Sequence, residues 1–301
     1  MYFFSLPFLA LSGSIHGAFA SPTPSFSQDL SKRSTTQRRG PILDRPSITK
    51  RGEPNTGADF DENEEPKPNT LEKTETAIND ALELASYVTS YIDDDNDIYP
   101  HYFDEADRAE IKRIFVDLTN GQKGNDYLDK ILIQKSDDDN LCDDQTLAYS
   151  NDEDTENPYI VLCPNSFKKK AVTALPSKDI DDEDALDFYT VCAKDGGDLG
   201  DTVSYRMNTL GMTLLHEYMH MDSMIKASFG SIVDNPNGND GYGPVNVYDK
   251  IPKDQARLNA DSYAYYASHV LWTALCQQDF GAPRPGTDDQ DPDCGATVCK
   301  P

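Results

Sequence analysis

Five histidines occur in 301 residues, and two of them stand four apart in His216-Glu217-Tyr218-Met219-His220. On a helix, residues four apart lie on one face. Two imidazoles placed that way can share one Zn²⁺, and a glutamate directly after the first can reach a water on the same ion. That is hydrolytic chemistry, in which a metal polarises a carbonyl and a carboxylate moves the proton of the attacking water. Leu214, Leu215, Met219 and Met221 flank the pair with apolar groups, as a buried helix requires. Catalytic zinc normally takes three protein ligands and leaves one position to water. Residue types restrict the third. The residue six past His220 is Lys226, no glutamate follows Glu217, and the only later histidine is His269. For a ligand on the C-terminal side of the motif, an aspartate is the expectation.

Two later segments narrow the choice. One is Ile232-Val233-Asp234, leading to Gly241-Tyr242-Gly243-Pro244; the other is Asn259-Ala260-Asp261-Ser262-Tyr263. Together with H-E-x-x-H, and in this order, they resemble the aspzincin metallopeptidases of the deuterolysin type, known mainly as secreted fungal enzymes. That family's pattern is H-E-x-x-H, then G-T-x-x-D-x-x-Y-G, then N-A-D-S-Y, and the resemblance covers about residues 159–276. It implies a zincin-like fold, one catalytic Zn²⁺ and cleavage of peptide bonds. It implies His216 and His220 as imidazole ligands and Glu217 as the general base. The middle motif departs from the pattern. Its Gly-Thr is missing, and the place three residues before Tyr242 is Asn239. Asp234 is therefore preferred as the third ligand, with Asp240 next. Asp261 matches the family's last aspartate, which has been read as a ligand or as part of the substrate pocket; here it is assigned to substrate binding. Tyr242 matches the Y-G tyrosine and is the candidate donor to the oxyanion. A relative that selects lysine pairs the N-A-D-S aspartate with a glutamate three residues on. Ala264 stands there in this chain, which weakens a lysine-specific reading.

Helices must position these groups. Asn69 followed by Glu72 reads as a capping box, and Ala77, Ala81, Leu82, Leu84, Ala85 and Val88 supply an apolar stripe to about Tyr91. A second helix is expected from about Asp104 to Asn120, with Ile111, Ile114, Phe115 and Leu118 on one face. Residues 130–134 and 159–163 read as strands. One long helix over about 203–225 carries the motif, and a last one covers about 254–276. The fold class is α+β, mainly helical with a small sheet. His101 and His269 read as packed or structural residues.

The N-terminal regions differ from this domain. Residues 1–20 have an apolar run and Ala18-Phe19-Ala20 before Ser21, the pattern of a secretory signal peptide. Residues 21–51 hold seven basic residues and two acidic ones, with dibasic pairs at Lys32-Arg33, Arg38-Arg39 and Lys50-Arg51. They read as a propeptide cut after Arg51, able to dock on an anionic body as its inhibitor. Residues 52–68 read as an acidic disordered leader. The metallopeptidase domain is placed at 69–280 and a cysteine-pinned tail at 281–301. Six cysteines past the signal suggest three disulfides, of which only Cys294–Cys299 is locally evident.

A net charge of −26 repels phosphate backbones and argues against nucleic acid as a partner. No apolar run after residue 20 reaches the roughly 18 residues needed to cross a bilayer. The expected protein is a secreted monomer acting on proteins or peptides. Two rivals stay open: a non-catalytic zinc-binding or host-interaction protein on the same scaffold, and an acidic calcium-dependent wall protein. The runs at 93–95, 137–139 and 181–184 lack the glycine and terminal glutamate of an EF-hand loop, and read as solvated surface.

Overall fold

Asn69 starts the first helix through a reciprocal cap. Its side-chain oxygen accepts the backbone N–H of Glu72 at 2.9 Å, and the Glu72 carboxylate accepts the N–H of Asn69 at 2.9 Å. Two otherwise unpaired amides are satisfied, and α1 runs over Thr70–Tyr91. The computed structural model describes residues 54–120, 127–171, 191–192, 197–238, 240–295 and 298–300, and the fold is given for these. The expected signal peptide, the propeptide and the acidic run at 179–184 lie outside them. The expected apolar stripe of α1 is buried, from Ala77 through Val88. It packs on the helix over Arg108–Asn120, on the helix that carries the motif, and on the helix over Ala260–Cys276.

After α2 (Tyr99–Tyr102), the helix expected from Asp104 begins later. Asp104 accepts the N–H of Ala106 at 2.9 Å and caps a 3₁₀ turn over Glu105–Asp107, from which α3 (Arg108–Asn120) continues. The sheet contains β1 (Asn55–Thr56), β2 (Leu132–Gln134), β3 (Ala148–Asn151) and β4 (Tyr159–Leu162), in the order β1-β2-β4-β3. β1 and β2 pair in parallel, as do β2 and β4, and β3 runs antiparallel to β4 as an edge strand. The described fold is α+β, with helices dominant and one small sheet.

Part of the expected leader is ordered. Asn55 and Thr56 pair with Leu132 and Ile133, and Phe60 is buried edge-on to Phe167. Acidic composition argued for disorder, but two strand residues and one phenylalanine suffice to fasten this stretch to the domain.

The long helix expected over 203–225 is broken into pieces. A 3₁₀ turn at Tyr205–Met207 is followed by Thr209, whose hydroxyl accepts from Met212 N–H at 3.2 Å. That cap starts α4 (Leu210–His220), which ends where Met221 leaves helical geometry at ψ 79°. A single turn, α5 (Asp222–Ile225), closes on Lys226 at φ 46°. Beyond α6 (Pro244–Asp249), the helix expected over 254–276 is also divided. A short α7 (Lys253–Ala256) precedes α8 (Ala260–Cys276), because Asn259 accepts the N–H of Ser262 at 2.8 Å and restarts the helix.

Three disulfides form: Cys142–Cys163, Cys192–Cys276 and Cys294–Cys299. The last closes a small loop within the tail and does not fasten it. The tail is held instead by Lys169, whose ammonium meets Asp291 in a buried pair, and by Lys300, which bonds Gln145 and Leu147 through its backbone. No helix among the described residues is long and apolar enough to cross a membrane.

His269 is buried in α8 with its Nδ1 3.3 Å from the Tyr102 hydroxyl. Burial, with the nearby His101 adding repulsion, pushes its pKa down to about 3. An unfolded imidazole takes its proton near pH 6.5, so folding loses stability as pH falls from there toward about 3. Urea denaturation at pH 7, 5 and 4 is expected to show His269→Leu losing less stability on acidification than wild type. A second prediction concerns Gly211 on α4. A Cβ there would overlap the Cβ of Asp80 and lie 3.1 Å from Ala81 N and 3.2 Å from Ala77 O on α1. Gly211→Ala is expected to destabilise the fold by about 1–3 kcal/mol, despite alanine's helix propensity. Thermal unfolding measures it.

Candidate metal centre

His216 and His220 sit one turn apart on α4, and His220 is its last residue. The chain then turns back, and Ile232-Val233-Asp234 returns in extended form beside the start of α8. Val233 N–H donates to Leu258 O at 2.7 Å, and Ala260 N–H donates to Val233 O at 3.1 Å. The Asn259 amide donates to Asp234 O at 2.8 Å. These bonds hold Asp234 against the two imidazoles.

Three side-chain atoms meet there. His216 Nε2 lies 2.9 Å from Asp234 Oδ1, His220 Nε2 lies 3.0 Å from the same oxygen, and the two Nε2 atoms are 3.0 Å apart. The opposite ring nitrogens identify where the protons are. His216 Nδ1 lies 2.8 Å from Asp261 Oδ1, and His220 Nδ1 lies 2.9 Å from the Ile232 carbonyl oxygen. An ionised carboxylate and a carbonyl can only accept. Each neutral ring therefore carries its hydrogen on Nδ1 and turns the Nε2 lone pair inward. Two lone pairs and a carboxylate oxygen then face one another with no hydrogen among them, a donor set that fits a cation. Tetrahedral zinc with ligands at about 2.0–2.2 Å places its donors roughly 3.3 Å apart, close to this triangle. His216 is fully buried, whereas the Asp234 side chain is 32% exposed, so the group opens on one side.

The same geometry sets the proton affinities. Burial opposes a charge on His216, yet its bonds to Asp234 and Asp261 hold its pKa well above the ordinary imidazole range. Burial also opposes charge on His220, and Asp234 again outweighs it and raises the pKa. Burial works against the Asp234 carboxylate, but the two histidines hold its pKa below the usual range.

Glu217 is buried beside this group, and its Oε1 has no partner among the described residues. Burial raises its pKa, with the two imidazoles and a bond from Ser150 on β3 pulling the other way. Tyr242 lies nearly parallel to His216, with ring centroids 6.4 Å apart. Burial raises the pKa of its phenol, as do the Asp234 charge and a hydrogen bond from the hydroxyl to that carboxylate.

Of the candidate aspartates, Asp234 joins the two histidines. Asp240 stands outside the triangle, exposed, accepting the N–H of Tyr242 at 3.2 Å in a turn. Asp261 is placed otherwise than the substrate-binding assignment requires. It is 1% exposed, and its two oxygens face His216 Nδ1 and the N–H of Gly243, at 2.8 and 2.7 Å. No face of it is left for a substrate. His101 stacks on Tyr248 and, like His269, belongs to an aromatic cluster.

Three participants were missed in the sequence. Asn259 both caps α8 and holds the Asp234 carbonyl, and its place in N-A-D-S-Y before an apolar helix was a usable signal. Gly241 could have been suspected only as part of Y-G. Ser150, on a four-residue edge strand without apolar alternation, carried no signal.

A Cβ on Gly241 would fall on the Asp234 carbonyl oxygen and the Asn259 amide nitrogen. Gly241→Ala is therefore expected to displace Asp234 and weaken zinc binding by roughly 10–100-fold, the range found when outer partners of ligands are lost. Competition with a chromophoric chelator measures it. No family model and no curated protein matches this chain, so what the site can do follows from its atoms.

Proposed function

We propose that this chain is a secreted zinc-dependent endopeptidase made as a zymogen, with His216, His220 and Asp234 as ligands and Glu217 as general base. One observation carries the reading: two imidazole nitrogens and a carboxylate oxygen converge within 3.0 Å of one another, with both opposite ring nitrogens backed by acceptors, next to a buried carboxylate with an unpartnered oxygen. A helix bearing H-E-x-x-H beneath an antiparallel edge strand supports a zincin-like fold. Three disulfides suit an oxidising destination, and a basic prosegment suits a protein kept inactive until processed.

A zinc ion held by these ligands would supply Lewis-acid polarisation of the scissile carbonyl and lower the pKa of a water there. Glu217 is placed to take the proton of the attacking water and to return it to the leaving amine. Burial raises its pKa, and in its ionised form such a carboxylate is a stronger base than a solvated one. Tyr242, beside Asp234 and His216, is the side chain placed to donate to the developing oxyanion. β3 is an edge strand, and Ser150 on it reaches Glu217. An extended peptide pairing along that edge would run its backbone past the carboxylate.

The processed protein is expected to cleave casein, to stop in the presence of a chelator, and to recover on adding zinc. Glu217→Gln is expected to bind zinc as wild type does while losing about 10²–10⁴-fold in kcat. Zinc binding without cleavage of a broad peptide library would select a non-catalytic zinc protein. Cleavage untouched by chelator or by Glu217→Gln would refute the mechanism.

A further inference from the structure

We propose that Asp261 is a positioning residue that orients His216 for metal binding and fixes the backbone behind Tyr242. This rests on the metal reading above, because it concerns the same ligands.

The carboxylate is shared between two elements. Oδ1 faces His216 Nδ1 on α4 at 2.8 Å, and Oδ2 accepts the N–H of Gly243 at 2.7 Å. Gly243 has φ 79°, a conformation glycine adopts without strain, and this turn aims its N–H at Asp261. Tyr242 is the preceding residue, so one side chain sets both the imidazole and the aromatic ring stacked on it. Asp261 itself is held firmly. It lies in the first turn of the 17-residue α8, where the helix N-terminus favours negative charge, and Asn259 caps that turn through Ser262. Asn259 also grips the Asp234 carbonyl. Two residues of the Asn259-Ala260-Asp261 segment thus stand directly behind two of the three ligands. An acidic pair selecting a cationic substrate side chain would need an accessible carboxylate, and Asp261 has none to offer.

Asp261→Asn separates the two roles. The amide keeps the shape but has one acceptor and one donor, and it faces two N–H groups. Only one can be satisfied while His216 keeps its hydrogen on Nδ1, so His216 turns or moves that hydrogen to Nε2, or Gly243 shifts. Metal-stripped wild type and variant would be titrated with Zn²⁺ against a chromophoric chelator, and peptide hydrolysis measured at saturating zinc. The expected result is a zinc dissociation constant raised roughly 10–100-fold, with KM nearly unchanged once zinc is saturating. Equal zinc affinity in the two proteins, with KM raised in the variant, would overturn the proposal and return Asp261 to the substrate pocket. A wild-type chain that binds no zinc overturns the metal reading and this proposal with it. Should the variant fail to fold, long-range ¹H–¹⁵N spectra of wild type decide the matter. With zinc bound, a proton on His216 Nδ1 supports the proposal, and a proton on Nε2 overturns it.

Discussion

Two imidazole lone pairs and a carboxylate oxygen pointed at one another repel. Their separations of 2.9–3.0 Å persist only if something positive lies among them or if protons intervene. A neutral ring keeps its one hydrogen on Nδ1, held by Asp261 or the Ile232 carbonyl, so only an added proton or a cation relieves the repulsion. On the proposed reading, the centre suits a cation through what stands behind the three side chains as much as through those side chains themselves. An isolated H-E-x-x-H helix would leave both rings free to turn.

Holding that arrangement explains several features of the fold. α4 must end at His220, so that the chain can turn back and bring Asp234 to the same spot, and Met221 provides the break. Asp234 must then be fixed against repulsion from Asp261 and Glu217. The α8 N-terminus does this with two backbone bonds and the Asn259 amide, while glycine at 241 leaves room for that amide. α1 presses close on the far side of α4, where only Gly211 allows the approach. Tyr102 packs against both Tyr266 and His269 of α8. Rigid support on each side is what a metal site needs to hold ligand positions to within about 0.5 Å.

The motif, its helix and the aspartate that meets it were legible in the sequence, because spacing and residue type restrict metal chemistry severely. Lys226 and the lack of any later glutamate left aspartate, and Asp234 is the one that reaches the rings. The boundaries were less legible. Apolar periodicity runs straight through Thr209 and Met221, and through Leu258-Asn259, so two continuous helices were expected where capping side chains divide them. Asp261 shows a different limit. The sequence revealed that an aspartate belongs at that position, but whether its carboxylate faces inward to a ligand or outward to a substrate depends on which way the first turn of α8 is rotated. Only the position of Gly243 and His216 in space decides that. Likewise, Asn55-Thr56 has no strand signature, and its order comes from the exposed edge that β2 offers it.

Charge balance ties these observations together. Asp234, Glu217 and Asp261 place three carboxylates around two imidazoles in a group that is largely buried. With neutral rings this is a strongly negative cluster, and burying it is costly. A divalent ion among them leaves about one net negative charge, which an open face can solvate. The same balance governs Glu217. Burial alone pushes it toward the neutral acid, which cannot accept a proton from water. A divalent charge beside it, as proposed, would favour the ionised form, the one able to act as a base. The carboxylate at 234 faces the two imidazoles and that at 261 stands behind His216, so of these three the acid with an unengaged oxygen is the one at 217. Division of labour among three chemically similar groups thus follows from which of their oxygens are already engaged.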